Sequence, residues 1–254
     1  MSSLFDLTGK VAVVTGGTKG IGRSIAKGFA MAGAEVVITG RRQEGCDEAA
    51  AELNDELGGQ SVRGIACHMG EWDQIDALVD RVYDELGQVD VLVNNAGINP
   101  APVTVADCTE AYFDKVYAVN VKGPIRLAGL VAPRMGEAGG GSIINVTTMG
   151  AYGGGPGVGI YTSSKAALHN VTRAMAGEWA GLNVRVNSLV PGPFMSEMMK
   201  GSMRFDPEFP ERSGRATMMN RVADCDEIIG LALYLASDAA SYVTGHDYKI
   251  AGGM

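Results

Sequence analysis

The sequence is short of cysteine, and its few cysteines form no cluster. The four lie far apart, at positions 46, 67, 108 and 225, with no CxxC pair. This spread argues against a disulfide framework, so we expect reduced thiols, buried or half-buried, in a cytoplasmic protein. The histidines, His68, His169 and His246, are equally dispersed and have no carboxylate at ligand spacing, so we expect no metal site.

Long apolar runs and an excess of positive charge are also missing. The longest apolar runs are short and interrupted by glycine, which excludes a membrane span. Residues 1–6 have neither a basic start nor an apolar stretch, so we expect no secretory signal. The formal net charge of −8 argues against nucleic acid or an anionic membrane as the main partner. A phosphorylated ligand would therefore need a local cluster of basic residues.

No proline- or serine-rich linker, charge block or repeat divides the 254 residues, so we predict one domain over residues 1–254. Short β-branched runs alternate with longer amphipathic stretches, the pattern of βαβ units around a parallel sheet. We predict an α/β fold of the Rossmann type, a doubly wound parallel sheet with helices on both faces. The predicted strands are 10–15, 35–39, 61–67, 89–94, 142–147, 185–190 and 248–250, and the predicted helices are 20–32, 43–57, 72–86, 109–135, 161–180 and 226–236.

A glycine-rich turn, Thr-Gly-Gly-Thr-Lys-Gly-Ile-Gly over residues 15–22, joins the first predicted strand to the first predicted helix. Such a turn binds the pyrophosphate of a dinucleotide, because glycine lets the backbone approach the phosphates and the helix N-terminus stabilises their charge. The residues that we expect to bind the cofactor here are Gly16, Thr18, Lys19, Gly20, Ile21 and Gly22.

The end of the second predicted strand indicates which nicotinamide cofactor is bound. Sites selective for NAD(H) place an acidic side chain there, against the ribose hydroxyls. This chain instead reads Gly40-Arg41-Arg42, and Lys19 adds a third cation from the glycine turn. Guanidinium groups bind phosphate through two hydrogen bonds, so the pattern favours NADP(H) over NAD(H). The alternative is that Arg41 and Arg42 only begin a solvated helix.

Tyr161 and Lys165 are four residues apart in a predicted helix, so both project from one face. A free tyrosine has a pKa of about 10, and lowering it to about 7.5 needs about 3.4 kcal/mol of preference for the phenolate. One ammonium group about 4 Å away supplies about 4 kcal/mol at an effective dielectric constant of about 20. We therefore predict that Lys165 lowers the pKa of Tyr161, which then exchanges a proton with a carbonyl or an alcohol.

Together with the turn Asn94-Asn95-Ala96-Gly97, these motifs resemble the short-chain dehydrogenase/reductase family in its compact form. The resemblance covers nearly the whole chain. It implies the strand order 3-2-1-4-5-6-7, a homotetramer, and transfer of a hydride between nicotinamide and a carbonyl or hydroxyl carbon. It also implies two further catalytic residues. Thr148 stands where the family usually has serine, with Thr147 as a one-residue alternative, and Asn120 interrupts a helix and holds a water that relays protons.

The resemblance further implies which residues contact the cofactor. His68 stands where the family usually has an aspartate that binds the adenine amino group, and a neutral imidazole can also accept that hydrogen bond. Met69 can pack on the adenine. The remaining contacts are expected from Asn95, Ala96, Gly97, Pro191, Gly192, Phe194 and Ser196. Of these, Ser196 replaces a threonine that binds the nicotinamide carboxamide in the family.

Residues 192–221 break the strand-helix alternation and are rich in methionine and phenylalanine. They form either an adaptable apolar lid over a hydrophobic substrate or one or two short helices packed on the body. Tyr152 and the glycine-rich residues 153–159 should form the opposite wall. We predict an NADP(H)-dependent ketone, carbonyl or 3-oxoacyl reductase. The alternative is a non-catalytic NADP(H)-binding sensor or partner subunit, in which His68 and Thr148 reflect the loss of activity.

Overall fold

A seven-stranded parallel sheet forms the centre of the fold, with the strand order β3-β2-β1-β4-β5-β6-β7. The computed structural model describes residues 4–254. The predicted absence of a secretory signal concerns residues 1–6, of which the first three lie outside the described residues. The strands are β1 Val11–Val14, β2 Glu35–Gly40, β3 Val62–Ala66, β4 Val91–Asn94, β5 Gly141–Val146, β6 Val184–Pro191 and β7 Asp247–Ile250. The predicted doubly wound fold and its strand order are confirmed.

The helices connect the strands and cover both faces of the sheet. They are α1 Gly20–Met31, α2 Gln43–Leu57, α3 Trp72–Leu86, α4 Glu110–Tyr117, α5 Gly123–Glu137, α6 Gly159–Trp179, α7 Glu197–Ser202, α8 Phe209–Arg215 and α9 Ile229–Ala236. In the part of the chain that the structure describes, no helix has both the length and the apolar character of a membrane span.

Two apolar cores lie on opposite faces of the sheet, because successive strand residues point to opposite sides. On one face, Val14 and Ile144 pack with Phe29 of α1 and Leu235 of α9. On the other face, the neighbouring strand residue Ile143 joins a core built with α3, α5 and α6. Burial on both sides explains why the central strands are almost wholly apolar.

The helix predicted over residues 109–135 is two helices, α4 and α5, separated by a π-helical turn, Ala118–Lys122. Pro124 explains the break, because it has no N–H with which to bond the Asn120 carbonyl four residues earlier. Gly123 is required at the junction, since a Cβ there would overlap the Met69 carbonyl oxygen. The break places Asn120 inside the protein, where its side chain is fully buried.

The segment 192–221, predicted as either an apolar lid or one or two short helices, contains the two short helices α7 and α8. Residues 193–195 pair with Ala223, through Met195 N–H to the Ala223 carbonyl at 2.9 Å and Ala223 N–H to the Pro193 carbonyl at 2.9 Å. Phe194 and Met199 are buried against the body. Six other large apolar side chains of the segment remain exposed: Met195, Met198, Met203, Phe205, Met218 and Met219. The segment therefore combines packed helices with an exposed apolar surface.

Candidate cofactor and active site

The glycine turn lies at the carboxyl edge of the sheet, between β1 and α1, and its geometry requires glycine. Gly16 and Gly20 have positive φ angles of 64° and 58°, which side chains other than glycine rarely adopt. Gly22 lies within α1, but a Cβ there would overlap both the Asn95 amide nitrogen and the Gly16 carbonyl oxygen. Bare backbone is therefore presented where a phosphate would approach the helix N-terminus.

Asn95 fixes the glycine turn to the end of β4. Its side-chain Nδ2 donates to the carbonyl oxygens of Thr15 at 2.8 Å and of Gly16 at 3.1 Å. In return, the Thr15 hydroxyl oxygen accepts from the backbone N–H groups of Asn95 at 3.0 Å and Ala96 at 3.1 Å. Thr15 belongs to the motif but was not among the predicted site residues, and its position at the end of an apolar strand is the signal that could have found it.

The basic residues predicted to select the cofactor lie near this turn and face solvent. A Cβ at Gly40, the last residue of β2, would lie 2.9 Å from Thr18 Cγ2, so the turn and the end of β2 are in contact. Lys19, Arg41 and Arg42 are exposed. Within residues 4–254 none of the three pairs with a carboxylate. Three cations are thus available to a ligand at this edge.

His68 follows the end of β3 and makes two local hydrogen bonds. The imidazole Nδ1 of His68 accepts from the Gly70 backbone N–H at 3.2 Å, and the His68 backbone N–H donates to Gln74 Oε1 at 2.8 Å. An imidazole that accepts at Nδ1 carries its proton at Nε2, so it offers a donor to a ligand. The predicted hydrogen bond with the adenine amino group stays a prediction. Met69 is buried next to it, in the core beneath this edge.

Tyr161 and Lys165 lie in the first turns of α6, beside the end of β5. The Tyr161 phenol is hydrogen-bonded to the Thr148 side chain. The Lys165 ammonium is buried and donates to the Val146 carbonyl at 2.8 Å. A Cβ at Gly97 would lie 3.1 Å from Lys165 Nζ, so the segment that contacts the glycine turn through Asn95 also contacts the lysine. The two halves of the site are thus physically joined.

Burial controls the protonation of this pair. Desolvation raises the pKa of Tyr161 to about 12, and the hydrogen bond with Thr148 opposes that rise. Desolvation lowers the pKa of Lys165 to about 8. The geometry does not support the predicted lowering of the pKa of Tyr161 by Lys165, because the ammonium group donates to the Val146 carbonyl and desolvation is the largest effect on the pKa of both residues. Tyr161 therefore retains its proton at neutral pH.

The choice between Thr147 and Thr148 is resolved by their partners. The Thr147 hydroxyl is buried and hydrogen-bonded to His169 Nε2. Thr148 is half-buried on the side of Tyr161, and its hydroxyl oxygen accepts from the Gly150 N–H at 3.3 Å. Thr148 is the residue that the structure brings to Tyr161. His169, by contrast, was predicted only as a core or surface residue; its position eight residues after Tyr161, on the same helix face, is the signal that could have found it.

Asn120 is held in the π-helical turn by three hydrogen bonds. Its Oδ1 accepts from the Ile98 N–H at 2.8 Å, and its Nδ2 donates to the Ile98 carbonyl and to Ser164 Oγ, each at 3.0 Å. Its side chain lies near the others, since a Cβ at Gly97 would be 3.5 Å from Asn120 Oδ1. Asn120 therefore joins the end of β4 to α6, next to Lys165.

The residues after β6 reach the glycine turn from the other side. A Cβ at Gly20 would lie 3.6 Å from Ser196 Cβ, which places these two residues in contact. The Ser196 hydroxyl oxygen caps α7 by accepting from the Met199 N–H at 3.4 Å, so its proton stays available for a ligand. Pro191 is the last residue of β6. The next residue, Gly192, packs against Ala251, and a Cβ at Gly192 would lie only 2.7 Å from Ala251 Cα.

Comparison with known proteins gives consistent relatives along the whole chain. A family model described as enoyl-(acyl carrier protein) reductase matches residues 16–254. Dehydrogenase/reductase SDR family member 4 of Homo sapiens is 37% identical over 247 residues, covering 97% of this chain and 88% of that protein. The protein of the same name from Caenorhabditis elegans is 38% identical over 250 residues, covering 97% and 95%.

Solved structures resemble the chain equally well. A short-chain type dehydrogenase/reductase from Mycobacterium marinum superposes with a TM-score of 0.90 at 34% identity, covering 98% of this chain and 96% of that one. A gluconate 5-dehydrogenase from Burkholderia cenocepacia J2315, solved in complex with NADP and tartrate, gives a TM-score of 0.91 at 31% identity, with the same coverage.

Proposed function

The chain belongs to the short-chain dehydrogenase/reductase family, and from that premise we propose that it is an NADP(H)-dependent reductase of a ketone, carbonyl or 3-oxoacyl substrate. The observation that carries this proposal is the hydrogen-bonded pair of Tyr161 and Thr148 at the end of β5, with Lys165 on the same helix face. Two hydroxyl groups lie together there, and polarisation of a carbonyl oxygen requires such donors.

The backbone around the glycine turn fits a nicotinamide dinucleotide. Gly16 and Gly20 expose backbone at angles that only glycine adopts readily, and Gly22 leaves no room for a side chain. Gly16, Gly20, Asn95 and Ser196 would hold the cofactor along the edge between α1 and α7. When bound, the cofactor supplies the hydride that carbonyl reduction needs.

The protein's own residues handle the proton and the developing charge. Tyr161 keeps its proton at neutral pH, so it is suited to donate that proton to a substrate oxygen as the carbonyl is reduced. Thr148 donates a second hydrogen bond to the same oxygen. Lys165, whose pKa is lowered to about 8 by burial, supplies the proton that replaces the one donated. Asn120, bonded to Ser164 next to Lys165, would hold a water that returns a proton to the lysine. This set of protonation states favours reduction over alcohol oxidation.

The preference for NADP(H) over NAD(H) is proposed from charge. Lys19, Arg41 and Arg42 are exposed cations near the end of β2, on a protein whose formal net charge is −8. A ribose 2′-phosphate would find cations there and no acidic side chain at the tip of the strand. Each hydrogen bond to such a charged group is worth about 1.5–3 kcal/mol, which corresponds to about a 10- to 100-fold change in affinity.

The substrate is proposed to be apolar and covered by the segment 192–221. The exposed side chains of Met195, Met198, Met203 and Phe205 offer flexible apolar surface beside Ser196. On the opposite side, Tyr152 and the glycine-rich residues 153–159 contact the loop after β4, where Val103 N–H donates to the Gly157 carbonyl at 2.9 Å. A bulky ketone or acyl chain fits between these walls better than a small hydroxy acid.

We further propose a cytoplasmic homotetramer. Phe113 on α4 and Ile125 on α5 are apolar and exposed on neighbouring helices, as expected of a surface that a second subunit covers. Light scattering coupled to size-exclusion chromatography tests this: a mass near that of four 26.5 kDa chains supports it, and that of one chain contradicts it.

The function is tested by oxidation of NADPH and of NADH with a panel of aliphatic, aromatic, diketone and 3-oxoacyl substrates. Wild-type turnover should depend on NADPH and be abolished in Tyr161→Phe. Arg41→Ala should weaken NADPH binding by about 10- to 100-fold and leave NADH binding unchanged. Arg81→Ala, at an exposed arginine of α3, is the matched control and should change neither.

Two results would contradict the proposal. Equal use of NADH and NADPH would remove the cofactor assignment. NADPH binding in titrations, with no turnover of any substrate class, would instead support a sensor or partner subunit.

A further inference from the structure

We infer that His169 is a positioning residue, which holds Thr148 toward Tyr161 by contacting the chain on both sides of Thr148. The inference rests on the proposed function, in which Thr148 binds the substrate oxygen. His169 takes part in none of the steps described above, yet it is buried within two turns of the catalytic pair. Its neighbours, rather than its own chemistry, explain why an imidazole is placed there.

Polar side chains recur every four residues on one face of α6: Tyr161, Lys165, His169 and Arg173. Residues at this spacing lie one above another along a helix. Each of the first three contacts the end of β5. Tyr161 bonds Thr148, Lys165 donates to the Val146 carbonyl, and His169 bonds the Thr147 hydroxyl. One helix face therefore contacts three consecutive residues, Val146, Thr147 and Thr148.

The first contact of His169 lies immediately before Thr148. His169 Nε2 is hydrogen-bonded to Thr147 Oγ1, and the Thr147 N–H continues the sheet by donating to the Leu189 carbonyl at 2.9 Å. The Thr147 side chain is thus fixed between β6 and α6. Burial lowers the pKa of His169, with the Asp247 carboxylate opposing and Arg173, Lys165 and Lys249 reinforcing that change. The ring is therefore neutral at physiological pH and suited to a hydrogen bond with a hydroxyl.

The second contact lies just after Thr148. A turn of 3-10 helix, Met149–Tyr152, follows it, and the Tyr152 ring packs on the His169 ring with centroids 5.0 Å apart. The Tyr152 hydroxyl donates to Asp247 Oδ2 at 2.9 Å. The same carboxylate oxygen lies 3.5 Å from Arg173 Nη2. The turn is thereby anchored to β7 and to α6.

Thr148 makes few contacts of its own that would fix its position. It lies beyond the last residue of β5, and its hydroxyl contacts only the Gly150 N–H and Tyr161 among the described residues. Its position is consequently set by residues 147 and 152, both of which contact His169. A displacement of about 1 Å at a reacting group costs about 100-fold in rate, so a partial loss of this support should be visible in kcat.

Three variants of His169 test the inference. His169→Gln places an amide nitrogen near the position of Nε2 and should retain the bond to Thr147, whereas the shorter His169→Asn cannot reach it. We expect kcat to fall about tenfold in His169→Asn and in His169→Leu, and to stay within about twofold of wild type in His169→Gln. The dissociation constant for NADPH should be unchanged in all three, because His169 does not contact the cofactor edge. Equal kcat in the Gln and Asn variants would overturn the inference.

A double-mutant cycle with Thr148→Ala separates positioning from a general loss of structure. If His169 acts through Thr148, His169→Leu should lower kcat about tenfold in the wild-type background and hardly at all in Thr148→Ala. Equal effects in both backgrounds would show that His169 does not act through Thr148.

Crystal structures of the Gln and Leu variants provide a readout that does not depend on turnover. Thr148 Oγ1 should keep its wild-type position in His169→Gln and move away from the Tyr161 hydroxyl in His169→Leu. If the wild-type protein reduces no substrate on the panel, the proposed function fails, while these structures still decide the role of His169. An unmoved Thr148 in His169→Leu overturns the inference.

Discussion

The burial of Lys165 should make the protein less stable than it would be without the lysine. Desolvation lowers the pKa of Lys165 from the ordinary 10.5 to about 8, and its one hydrogen bond goes to the Val146 carbonyl at 2.8 Å. A tenfold change in a protonation equilibrium is worth about 1.4 kcal/mol, so the buried ammonium destabilises the fold by about 3 kcal/mol at neutral pH. Lys165→Met keeps the side-chain length, removes the charge and loses a hydrogen bond worth about 1 kcal/mol. We expect the variant to be about 2 kcal/mol more stable at pH 7, and inactive.

The pH dependence of this gain has a definite sign. Below pH 8 both the folded and the unfolded chain bind the proton, so the full penalty applies to the wild type. Between pH 8 and 10.5 the unfolded chain binds more protons than the folded one, so the free energy of unfolding of the wild type rises with pH. Tyr161, with its pKa raised to about 12, has the opposite slope from pH 10 upward, but it is present in both proteins and cancels in their difference.

Urea unfolding of both proteins at equal concentration, from pH 7 to pH 10, provides the measurement. The stability gap should shrink as the pH rises and approach zero near the pKa of free lysine. Lys115→Met, a change at an exposed lysine, is the control and should alter the stability by less than about 0.5 kcal/mol at every pH. If Lys165→Met is no more stable than wild type at pH 7, or if the gap is the same at pH 10, desolvation does not control this residue.

Three further outcomes follow from the geometry of the site. Gly22→Ala should break the two hydrogen bonds from Asn95 to the glycine turn, lower the free energy of unfolding by about 2 kcal/mol and abolish NADPH binding, as measured by urea unfolding and fluorescence titration. Gly177→Ala, in open space on α6, is its control and should raise stability by about 0.5–1 kcal/mol; a comparable loss there would contradict the steric argument. Thr148→Val should lower kcat about 100- to 1000-fold in steady-state assays, while Thr148→Ser, which keeps the hydroxyl, should stay within about tenfold of wild type. Asn120→Ala leaves Ile98 without both of its side-chain hydrogen bonds and should lower the free energy of unfolding by about 2–3 kcal/mol in urea; a loss below about 1 kcal/mol would show that water replaces them.

The sheet could be predicted from the sequence because its strands carry a strong local signal. Runs such as Val11–Val14 and Val91–Asn94 are buried on both faces, which requires nearly continuous apolar residues. The interruption of the fourth helix had a local cause as well, the proline four residues after Asn120. For residues 192–221 the sequence left a lid and one or two short helices as alternatives, because α7 and α8 are too short to show a helical period.

The site was predictable in its membership, but less so in its contacts. Glycine at 16, 20 and 22 and the spacing of Tyr161 and Lys165 are local patterns, and the structure brings these residues to one edge of the sheet. The local contacts of His68 were not foreseen, and the reason is different. Which imidazole nitrogen accepts is decided by the Gly70 N–H, a turn contact that residue identity alone does not reveal.

The protonation of Tyr161 shows most clearly what pairwise reasoning leaves out. A Coulomb term between two charges is large enough to lower a tyrosine pKa, but it assumes that the ammonium faces the phenol and that neither group loses its water. Here the fold puts both groups on α6 beside β5, where the Val146 carbonyl receives the ammonium and desolvation acts on each group separately. Loss of hydration then favours the neutral form of both residues. A site built this way holds its proton on tyrosine and lowers the energy needed to take one from lysine, as the proposed reduction of a carbonyl requires.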